Sequence, residues 1–492
     1  GEAPYRNLII EGDNFDALRH LRMCYAGRVK CIYIDPPYNT GNKDFVYNDH
    51  FVDKEDLWKH SKWCEFMFQR LTLAKDLLRQ DGVIFVSIDD NELASLRMLM
   101  DRVFGSGNFV ANCIWQKRYS ASNDHKSIAP MHEYVLVYSA FGDWTTNRLT
   151  RGEEKDRQYR YEDAQGVFRV SDYTCNKSAE ERPNLYYPVV NPNIGEEIWP
   201  KKTRVWAYSK DEHDKHVDQD LIYWGKDGKG KVPAFKRYKH MLRHQGVVPT
   251  TWWTFDEVGH NDSAKKELLA IMPEVARAFS TPKPTGLIER VLKLATAPGD
   301  LVLDFFAGSG TTAHAVLKMN AEEEGAARRF ILVSNAEGSE KEPDKNLCRD
   351  VCAERVRRVI RGNEKQPPLD GDFAYLRTRR IAPEKLLRIE HEQVWTALQM
   401  THFDELRCYD GGSRIQSASD GETRLVYVSR YIKRDLPKLA QLIEGEGAVI
   451  VYSWQPQYLA NQFRATSAQF EGIPESLERR FGLHHNKRKE GV

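Results

Sequence analysis

Short apolar runs alternate with longer amphipathic segments over the first 140 residues of the chain. The run from Val29 to Ile34 ends at Asp35, and the run from Val83 to Ile88 is apolar at nearly every position. A strand without polar alternation is typical of one that is covered on both faces. Between these two runs, apolar residues recur at spacings of three and four from Glu55 to Arg79, which predicts a helix. Strands alternating with helices predict a parallel sheet with crossover helices.

The pattern changes between residues 142 and 278, where turn-forming residues are frequent and long periodic stretches are few. We expect an irregular, mixed insertion there. The α/β pattern returns with a helix from Thr285 to Ala295 and a strand from Leu301 to Phe305. The segment Gln366-Pro367-Pro368 then breaks the chain, and a smaller region with α+β character follows.

These patterns predict an α/β protein whose main sheet domain is interrupted by an insertion. The predicted domains are 1–141 and 279–364 for the two halves of the sheet domain, 142–278 for the insertion, and 365–492 for a small C-terminal α+β domain.

Composition narrows the class of protein without identifying it. The 492 residues are 41% hydrophobic and 29% charged, which is ordinary for a soluble globular protein. A membrane-spanning helix needs about 20 apolar residues in succession, and no such run exists, so we expect no membrane partner. The eight cysteines include no Cys-x-x-Cys pair, which indicates a reducing cytoplasm and predicts no metal site. The net charge of +1 leaves a nucleic-acid partner open, because the distribution of charge matters more than its sum.

The first motif with chemical content is Asp35-Pro36-Pro37-Tyr38, directly after the first apolar run. Two prolines make this backbone stiff, because they fix φ and lack amide hydrogens. An exocyclic amine on a planar base needs two hydrogen-bond acceptors, here the Asp35 carboxylate and the Pro36 carbonyl, and a stacking face, here Tyr38. The alternative interpretation is a proline-stiffened turn in which the aspartate caps a helix.

The second motif is a small-residue loop after the strand that starts at Leu301. It contains Asp304, Phe305, Phe306, Ala307, Gly308, Ser309, Gly310 and Thr311. Small residues let a backbone loop approach a ligand closely, but the loop lacks both the P-loop lysine and the third glycine of the dinucleotide fingerprint. It suits a nucleoside with a charged amino-acid tail, and Asp304 is a candidate partner for the ammonium group of S-adenosylmethionine. The alternative is a tight strand–helix turn without a ligand.

Together the two motifs resemble the DNA amino-methyltransferases of the permuted β class. In that family the Asp-Pro-Pro-Tyr motif comes first, a target-recognition domain follows, and the Phe-x-Gly-x-Gly motif comes late, as in this chain. The resemblance implies a Rossmann-like sheet that binds S-adenosylmethionine through residues 304–311 and catalyses through residues 35–38. The segment Asn39-Thr40-Gly41 and the long C-terminal extension resemble the modification subunits of type III restriction systems.

The resemblance also implies further cofactor-binding residues. Asp13 and Asn14 lie in an early acidic turn, with Asp13 near the adenine of the cofactor, and Lys283 lies in a lysine–proline motif ahead of the glycine loop. The segment from His132 to Tyr138 resembles the family's strand beside the target pocket. Family members often carry an acid for the ribose after the strand that follows the glycine loop, and Glu337 is the candidate here, although the ribose partner stays open.

A basic cluster lies within the predicted insertion. Residues 228–244 contain six lysines and arginines and no acid, with aromatic residues interleaved. Phosphate contacts provide affinity for DNA and base-edge contacts provide specificity, although a solvated basic loop is the alternative interpretation. The candidate DNA-binding residues are Asn39, Lys229, Lys231, Lys236, Arg237, Lys239 and Arg243.

We therefore predict a site-specific methyltransferase that modifies N6 of adenine in double-stranded DNA. The target base would be flipped out of the helix, and its amine would attack the sulfonium methyl group in line. Cytosine-N4 methylation is the close alternative, and an aspartate before Pro-Pro-Tyr favours adenine in this family. A catalytically silent DNA-specificity subunit for a partner nuclease is the alternative from another class. We expect a homodimer, and the resemblance leaves open a helicase–nuclease restriction subunit as a further partner.

Overall fold

The structure is a computed structural model of the whole chain. It describes residues 4–41, 46–47, 50–51, 58–121, 127–152, 156–242, 246–277, 279, 281–337, 344–364, 366–379, 389–444, 447–473 and 475–477. Within these residues, no helix combines the length and the apolar composition that crossing a membrane requires.

The strands and helices of the described residues are as follows. The strands are β1 (Leu8–Glu11), β2 (Val29–Ile34), β3 (Val46–Tyr47), β4 (His50–Phe51), β5 (Leu78–Ile88), β6 (Phe109–Gln116), β7 (His132–Ser139), β8 (Tyr161–Asp163), β9 (Gly166–Asp172), β10 (Val189–Asn191), β11 (Glu196–Ile198), β12 (Ile222–Tyr223), β13 (Ala234–Tyr238), β14 (Trp252–Trp253), β15 (Leu301–Asp304), β16 (Arg329–Ser334), β17 (Ala374–Arg377), β18 (Ile415–Ser419), β19 (Thr423–Val428), β20 (Ala448–Ser453) and β21 (Gln469–Gly472). The α-helices are α1 (Asn14–Tyr25), α2 (Lys59–Leu77), α3 (Leu93–Phe104), α4 (Lys210–Asp218), α5 (Phe255–Val258), α6 (Asn261–Ile271), α7 (Thr285–Ala295), α8 (Thr311–Glu322), α9 (Glu354–Arg361), α10 (His391–His402), α11 (Leu436–Ile443) and α12 (Pro456–Gln462).

A nine-stranded sheet organises the larger compact unit, which comprises residues 1–147 and 250–492. Its strand order is β14-β6-β7-β5-β2-β15-β16-β1-β17. Strand β7 runs antiparallel to both of its neighbours, and every other pairing in this sheet is parallel. The predicted α/β fold with a mainly parallel sheet is confirmed.

Helices cover the central strands, which explains why those strands are apolar at nearly every position. Helix α2 buries Trp63, Met67 and Leu71, spaced four residues apart, in one core with Ile32 of β2 and Ile84 of β5. The helix starts at Lys59, and residues 55–57, which the sequence included in it, lie outside the described residues. The aspartate and glycine motifs both follow strands of this covered sheet.

The two motifs lie at the switch point of the sheet. The chain continues from β2 to its neighbour β5 on one side and from β15 to its neighbour β16 on the other. Strands β2 and β15 pair directly, with Ile32 opposite Leu303. Ligands of open α/β sheets bind outside the carboxyl ends of the strands at such a point, and both motifs begin there.

Residues 148–249 form a second compact unit. It holds an antiparallel sheet in the order β12-β13-β9-β8 and a separate hairpin, β10-β11. This unit is shorter than the predicted insertion of 142–278, because β14 pairs with β6 in the central sheet and Trp253 is fully buried there. Turn-rich composition continues past the end of the compact unit, so composition alone places the boundary too late.

The C-terminal part of the chain contributes to two sheets. Strand β17 extends the central sheet beside β1, so that sheet continues beyond residue 364, where the sequence placed the domain boundary. Strands β18 to β21 then form a mixed four-stranded sheet. Helix α10 packs on one of its hydrophobic cores and α11 on the other, which gives this region the expected α+β character.

Candidate active site

The Asp35-Pro36-Pro37-Tyr38 segment is held rigidly at the carboxyl end of β2. The two prolines restrict its backbone, and the indole Nε1 of Trp63 donates a hydrogen bond of 2.7 Å to the Pro37 carbonyl. Because Trp63 is fully buried in α2, this bond ties the segment to the core.

Asp35 keeps one carboxylate oxygen available. Its Oδ1 accepts a hydrogen bond of 2.8 Å from the Tyr38 hydroxyl and lies 3.0 Å from the Lys283 ammonium. No described residue donates a hydrogen bond to its Oδ2, and the side chain is one-quarter exposed. Burial raises the pKa of Asp35 and the nearby Glu133 carboxylate adds to this, while Lys283 opposes both. The site therefore presents an open acceptor at the edge of the sheet.

Lys283 belongs to the same cluster. Its ammonium lies 3.1 Å from Glu133 Oε2, donates to the Tyr38 hydroxyl at 2.8 Å, and lies 4.9 Å from the centroid of the Tyr38 ring. The sequence placed Lys283 at the cofactor, whereas its ammonium in this structure contacts Asp35 and Tyr38. The backbone of Lys283 also reaches the second motif, because its carbonyl accepts a hydrogen bond of 3.2 Å from Thr311, and a contact of Lys283 with the cofactor stays a prediction.

Sequence reasoning missed Glu133 and Lys117 as site residues. Glu133 is the second residue of β7 and its only acid, and Lys117 lies 3.1 Å from its Oε1. Burial would raise the pKa of Glu133, but Lys283 and Lys117 outweigh burial, so the net shift is downward. The sequence signal that could have identified Glu133 was a single acid in a strand that enters the core.

The second motif contains two glycines whose backbone conformation disfavours any residue with a side chain. Gly310 has a φ of +74°, and a Cβ at this position would lie 2.9 Å from the Cys352 carbonyl oxygen. Gly308 has a φ of +47°, and its Cβ would lie 2.9 Å from Cζ of Phe279. L-residues rarely adopt these angles, and at Gly310 the backbone contact excludes a side chain as well.

Asp304 holds the loop that it begins. Its Oδ1 accepts a hydrogen bond of 3.0 Å from the Phe306 amide, and its Oδ2 accepts one of 2.6 Å from the Thr312 hydroxyl. Burial raises the pKa of Asp304 to about 7, against those two hydrogen bonds, and Asp35 adds to the rise. The expected contact of Asp304 with an ammonium group stays a prediction.

A fully buried arginine supports the glycine loop from within the protein. The Arg355 guanidinium donates to Thr311 Oγ1 at 2.8 Å and to Ser309 Oγ at 3.2 Å. Thr311 in turn donates a hydrogen bond to the Lys283 carbonyl, which joins the loop to the residue whose side chain contacts Asp35 and Tyr38. Of the other loop residues, Phe305 and Ala307 are buried, and Ala307 donates its amide to the Val333 carbonyl at 3.1 Å.

Asp13 and Asn14 lie beside the glycine loop. Asn14 Nδ2 donates to the Phe305 carbonyl at 3.0 Å. Asp13 caps α1 by accepting from the amides of Phe15 and Asp16, and its half-exposed carboxylate lies 3.1 Å from Arg70. Arg70, which the sequence did not single out, also donates to the Asn14 side chain. The ligand contacts expected of Asp13 and Asn14 stay predictions.

Glu337 follows the carboxyl end of β16, the strand beside β15. Its backbone has a φ of +51°, its side chain is half exposed, and its carboxylate lies 3.9 Å from Lys345. The position is on the ligand edge of the sheet, and its role toward a ribose stays a prediction.

Asn39 is not available to DNA in this structure. Only 1% of the residue is exposed, and its amide donates to the Lys59 carbonyl at 3.2 Å and to Glu92 Oε1 at 2.6 Å. With a φ of +57°, Asn39 turns the chain away after Tyr38. Its predicted DNA contact is therefore corrected, because the buried Glu92 takes the side chain into the core.

The basic cluster of the 148–249 unit divides into buried and exposed cations. Lys236 is only 8% exposed and lies 2.9 Å from both Asp163 and Asp220, so its predicted phosphate contact is corrected. The sequence window showed no acid because both partners come from outside it. Lys239 is half exposed and lies 2.8 Å from Asp156. Three of the other predicted residues, Lys229, Lys231 and Arg237, are exposed. Arg237 Nε donates a hydrogen bond of 2.9 Å to Ser171 Oγ. Arg243 lies outside the described residues.

A doubly wound sheet with a rigid carboxylate motif and a glycine loop at its switch point is the arrangement that the resemblance to methyltransferases implied. The family described as DNA methylase matches residues 29–340 of this chain. That range is more than half of the 492 residues, and the chain belongs to this family.

Individual relatives agree with the family assignment. The chain is 37% identical to the type III restriction-modification enzyme StyLTI Mod subunit of Salmonella typhimurium, over 77% of this chain and 60% of that protein. It is 33% identical to the EcoPI Mod subunit of Escherichia phage P1, over 68% of this chain and 58% of that protein. It is 32% identical to the type II methyltransferase M.KpnI of Klebsiella pneumoniae, over 66% of this chain and 79% of that protein. The chain thus spans about three-fifths of the length of the two Mod subunits, and the predicted resemblance to such subunits is confirmed.

Proposed function

We propose that this chain transfers a methyl group from S-adenosylmethionine to N6 of adenine in double-stranded DNA. The observation that carries this proposal is the open Oδ2 of Asp35, fixed beside the Tyr38 ring at the edge of the sheet that also holds the glycine loop. The names of the relatives, which include Mod subunits and a methyltransferase, support the same class of reaction.

The chemistry requires positioning more than proton transfer. The adenine amine is a poor nucleophile, because its lone pair is delocalised into the ring. Accepting its hydrogens at Asp35 Oδ2 and the Pro36 carbonyl favours a pyramidal nitrogen and stabilises the positive charge that develops there. Holding two reactants in line contributes roughly 7–11 kcal/mol to lowering such a barrier. The Asp35–Tyr38 segment is suited to this task because prolines and the bond to Trp63 fix it.

The target base has to leave the DNA helix to reach this edge of the sheet, which costs a few kcal/mol. Stacking on an aromatic ring contributes about 1–3 kcal/mol per base. Lys283 contacts the hydroxyl end of Tyr38 at 2.8 Å, and we propose that the base stacks on a face of this ring.

The residues present fit S-adenosylmethionine. Gly308 and Gly310 provide backbone without side chains, in a loop where a Cβ at either position would lie 2.9 Å from another part of the protein. Asp13 presents a half-exposed carboxylate next to the loop, and Asn14 fixes that turn to Phe305. When bound, the cofactor supplies an electrophilic methyl group on a sulfonium. The protein's part is to hold it beside Asp35 and to keep competing water away.

The test of this function is methylation by the wild-type chain alone. DNA is incubated with S-adenosylmethionine carrying a labelled methyl group, digested to nucleosides, and analysed by mass spectrometry. We expect labelled N6-methyladenine. Labelled N4-methylcytosine would contradict the base assignment. If neither the wild type nor Asp35→Ala produced a labelled nucleoside, the proposed function would be contradicted.

We further propose that the 148–249 unit binds DNA, with its exposed cations contacting phosphates. Lys229→Ala combined with Lys231→Ala removes two such contacts. The slope of log affinity against log salt should then become shallower by about 0.9 per contact, nearly 2 in total. The loss should be similar for cognate and unrelated duplexes, because phosphates carry no sequence information.

The matched control replaces two cations of the C-terminal region, Lys433→Ala and Arg434→Ala. We expect the control to keep the wild-type slope in a fluorescence anisotropy titration. An equal change of slope in both double variants, or an unchanged slope in the first, would contradict this assignment.

Assembly is part of the same proposal. Two of the relatives are named as subunits of type III restriction-modification enzymes, so we propose that this chain binds a helicase–nuclease restriction subunit. The homodimer stays an expectation from the resemblance.

A further inference from the structure

Four side chains of alternating charge form a continuous row at the active site. Lys117 Nζ lies 3.1 Å from Glu133 Oε1, and Glu133 Oε2 lies 3.1 Å from Lys283 Nζ. Lys283 Nζ then lies 3.0 Å from Asp35 Oδ1. The side chains of Glu133 and Lys283 are only 8% and 10% exposed. A second buried carboxylate beside the proposed catalytic one needs a physical reason, since burying a charge is costly unless it is paired.

The ammonium of Lys283 has three N–H donors, and three acceptors surround it. They are Asp35 Oδ1, the Tyr38 hydroxyl and Glu133 Oε2. Glu133 thereby takes the donor that would otherwise be free to turn toward the second oxygen of Asp35. Because these three acceptors all lie within 3.1 Å of its ammonium, Lys283 leaves Asp35 Oδ2 open.

The Tyr38 hydroxyl is held in the same way. It lies 2.8 Å from Asp35 Oδ1 and 3.0 Å from Glu133 Oε2, and it has one hydrogen to share between them. Glu133 is in turn anchored on β7, where it pairs with the buried Trp115 of β6. The end of the Tyr38 ring is thus fixed from a rigid strand.

We propose that Glu133 is a positioning residue for methyl transfer, holding the Lys283 ammonium and the Tyr38 hydroxyl so that Asp35 keeps its Oδ2 for the amine of the target base. This inference rests on the proposed function and assigns to it a residue on a different strand from either motif.

Charges around the cluster determine what loss of Glu133 should do. Burial raises the pKa of Asp35, Glu133 adds to that rise, and Lys283 opposes it. Removing the negative charge of Glu133 should therefore lower the pKa of Asp35. The other ionisable groups that face Asp35 or Glu133 are Tyr33, Tyr38, Asp89, Lys117 and Asp304.

The decisive variant is Glu133→Gln, which keeps the shape and removes the charge. We expect kcat to fall by about tenfold to a hundredfold, as for a modest misplacement of reacting groups. The affinity for S-adenosylmethionine, measured by calorimetry, should stay within about twofold of the wild type. Glu133 contacts the side chains of Tyr38 and Lys283 and not the glycine loop. Transfer requires ionised Asp35, so the acid limb of the kcat–pH profile should move to lower pH.

Two further variants separate charge from general damage. Glu133→Asp keeps the charge and should keep the acid limb at the wild-type pH, even where its shorter side chain lowers kcat. Glu422→Gln neutralises an exposed acid in the C-terminal region and should behave as the wild type in every assay. Thermal melting of each variant reports on folding.

The outcomes distinguish the two proposals. An inactive wild type overturns the proposed function and this inference with it. An active wild type with unchanged kcat in Glu133→Gln overturns the inference alone. A fall in kcat with an unmoved acid limb, or with an equal loss of cofactor binding, also overturns it.

Discussion

Replacement of Asp35 by alanine should reduce methyl transfer by about a hundredfold or more while S-adenosylmethionine still binds. Loss of one preorganised hydrogen-bond partner of a developing charge typically costs about a hundredfold to a thousandfold in rate, and Asp35 offers the open carboxylate oxygen at this edge. The variant keeps the glycine loop, because no hydrogen bond joins Asp35 to residues 305–311 in the described part of the chain. Single-turnover kinetics and calorimetry on the same preparation measure the two effects separately.

Loss of Asp35 also removes one of the two carboxylates that contact Lys283, so folding needs its own check. Asp35→Asn keeps the shape and replaces one oxygen by a donor, and we expect it to be nearly as inactive as the alanine variant. Asp143→Ala, at an exposed aspartate, is the matched control and should keep wild-type turnover. Turnover near that of the wild type in Asp35→Ala would show that another group accepts the amine hydrogens.

The neighbourhood of the two motifs was predictable from the sequence. Residues 29–34 and 301–303 form mainly apolar runs that lead into the two motifs. Parallel strands of a covered sheet place their carboxyl ends at one edge, and β2 and β15 are in fact adjacent. The glycines were recognisable too, because a strand-to-helix turn that approaches a ligand requires residues without a side chain.

The ion pairs were not predictable in the same way. Lys236 appeared as part of a purely basic window, yet Asp163 and Asp220 neutralise it from strands and turns distant in sequence. Glu133 and Lys283 are 150 residues apart in sequence. They meet because β7 pairs antiparallel with β5, so the start of β7 lies at the edge of the sheet where the parallel strands end. Periodicity identifies which side chains are buried, but it carries no information on which charged groups meet there.

The sequence pattern also limited how accurately the domain boundaries could be predicted. The two-residue strand β14 is too short to show a period, yet its pairing with β6 places residues 252–253 in the central sheet. Strand β17 lies after a proline pair that looked like a domain break, and it nevertheless extends the sheet beside β1. Both strands are at sheet edges, where partial exposure weakens the apolar pattern.

Substitution of Gly310 by alanine should weaken binding of S-adenosylmethionine by about tenfold or more. Two costs add at this position. A left-handed backbone costs an L-residue roughly 1–2 kcal/mol, and Gly310 has a φ of +74°. The new Cβ would also lie 2.9 Å from the Cys352 carbonyl oxygen, which is backbone and has little freedom to move. Relief of this contact has to come from the loop itself, which would shift the amides that face the ligand.

Other glycines of this chain separate these two costs. Gly299 has a φ of +83°, and a Cβ added there would meet no described atom within 4 Å, so Gly299→Ala carries the backbone cost without the contact. Gly308→Ala has a φ of +47° and a contact of 2.9 Å to the far end of the Phe279 ring, which can rotate. We expect cofactor affinity measured by calorimetry to be unchanged in Gly299→Ala, moderately reduced in Gly308→Ala, and most reduced in Gly310→Ala. Equal affinity in all three variants, with melting temperatures that follow the backbone angle alone, would place the cofactor away from this loop.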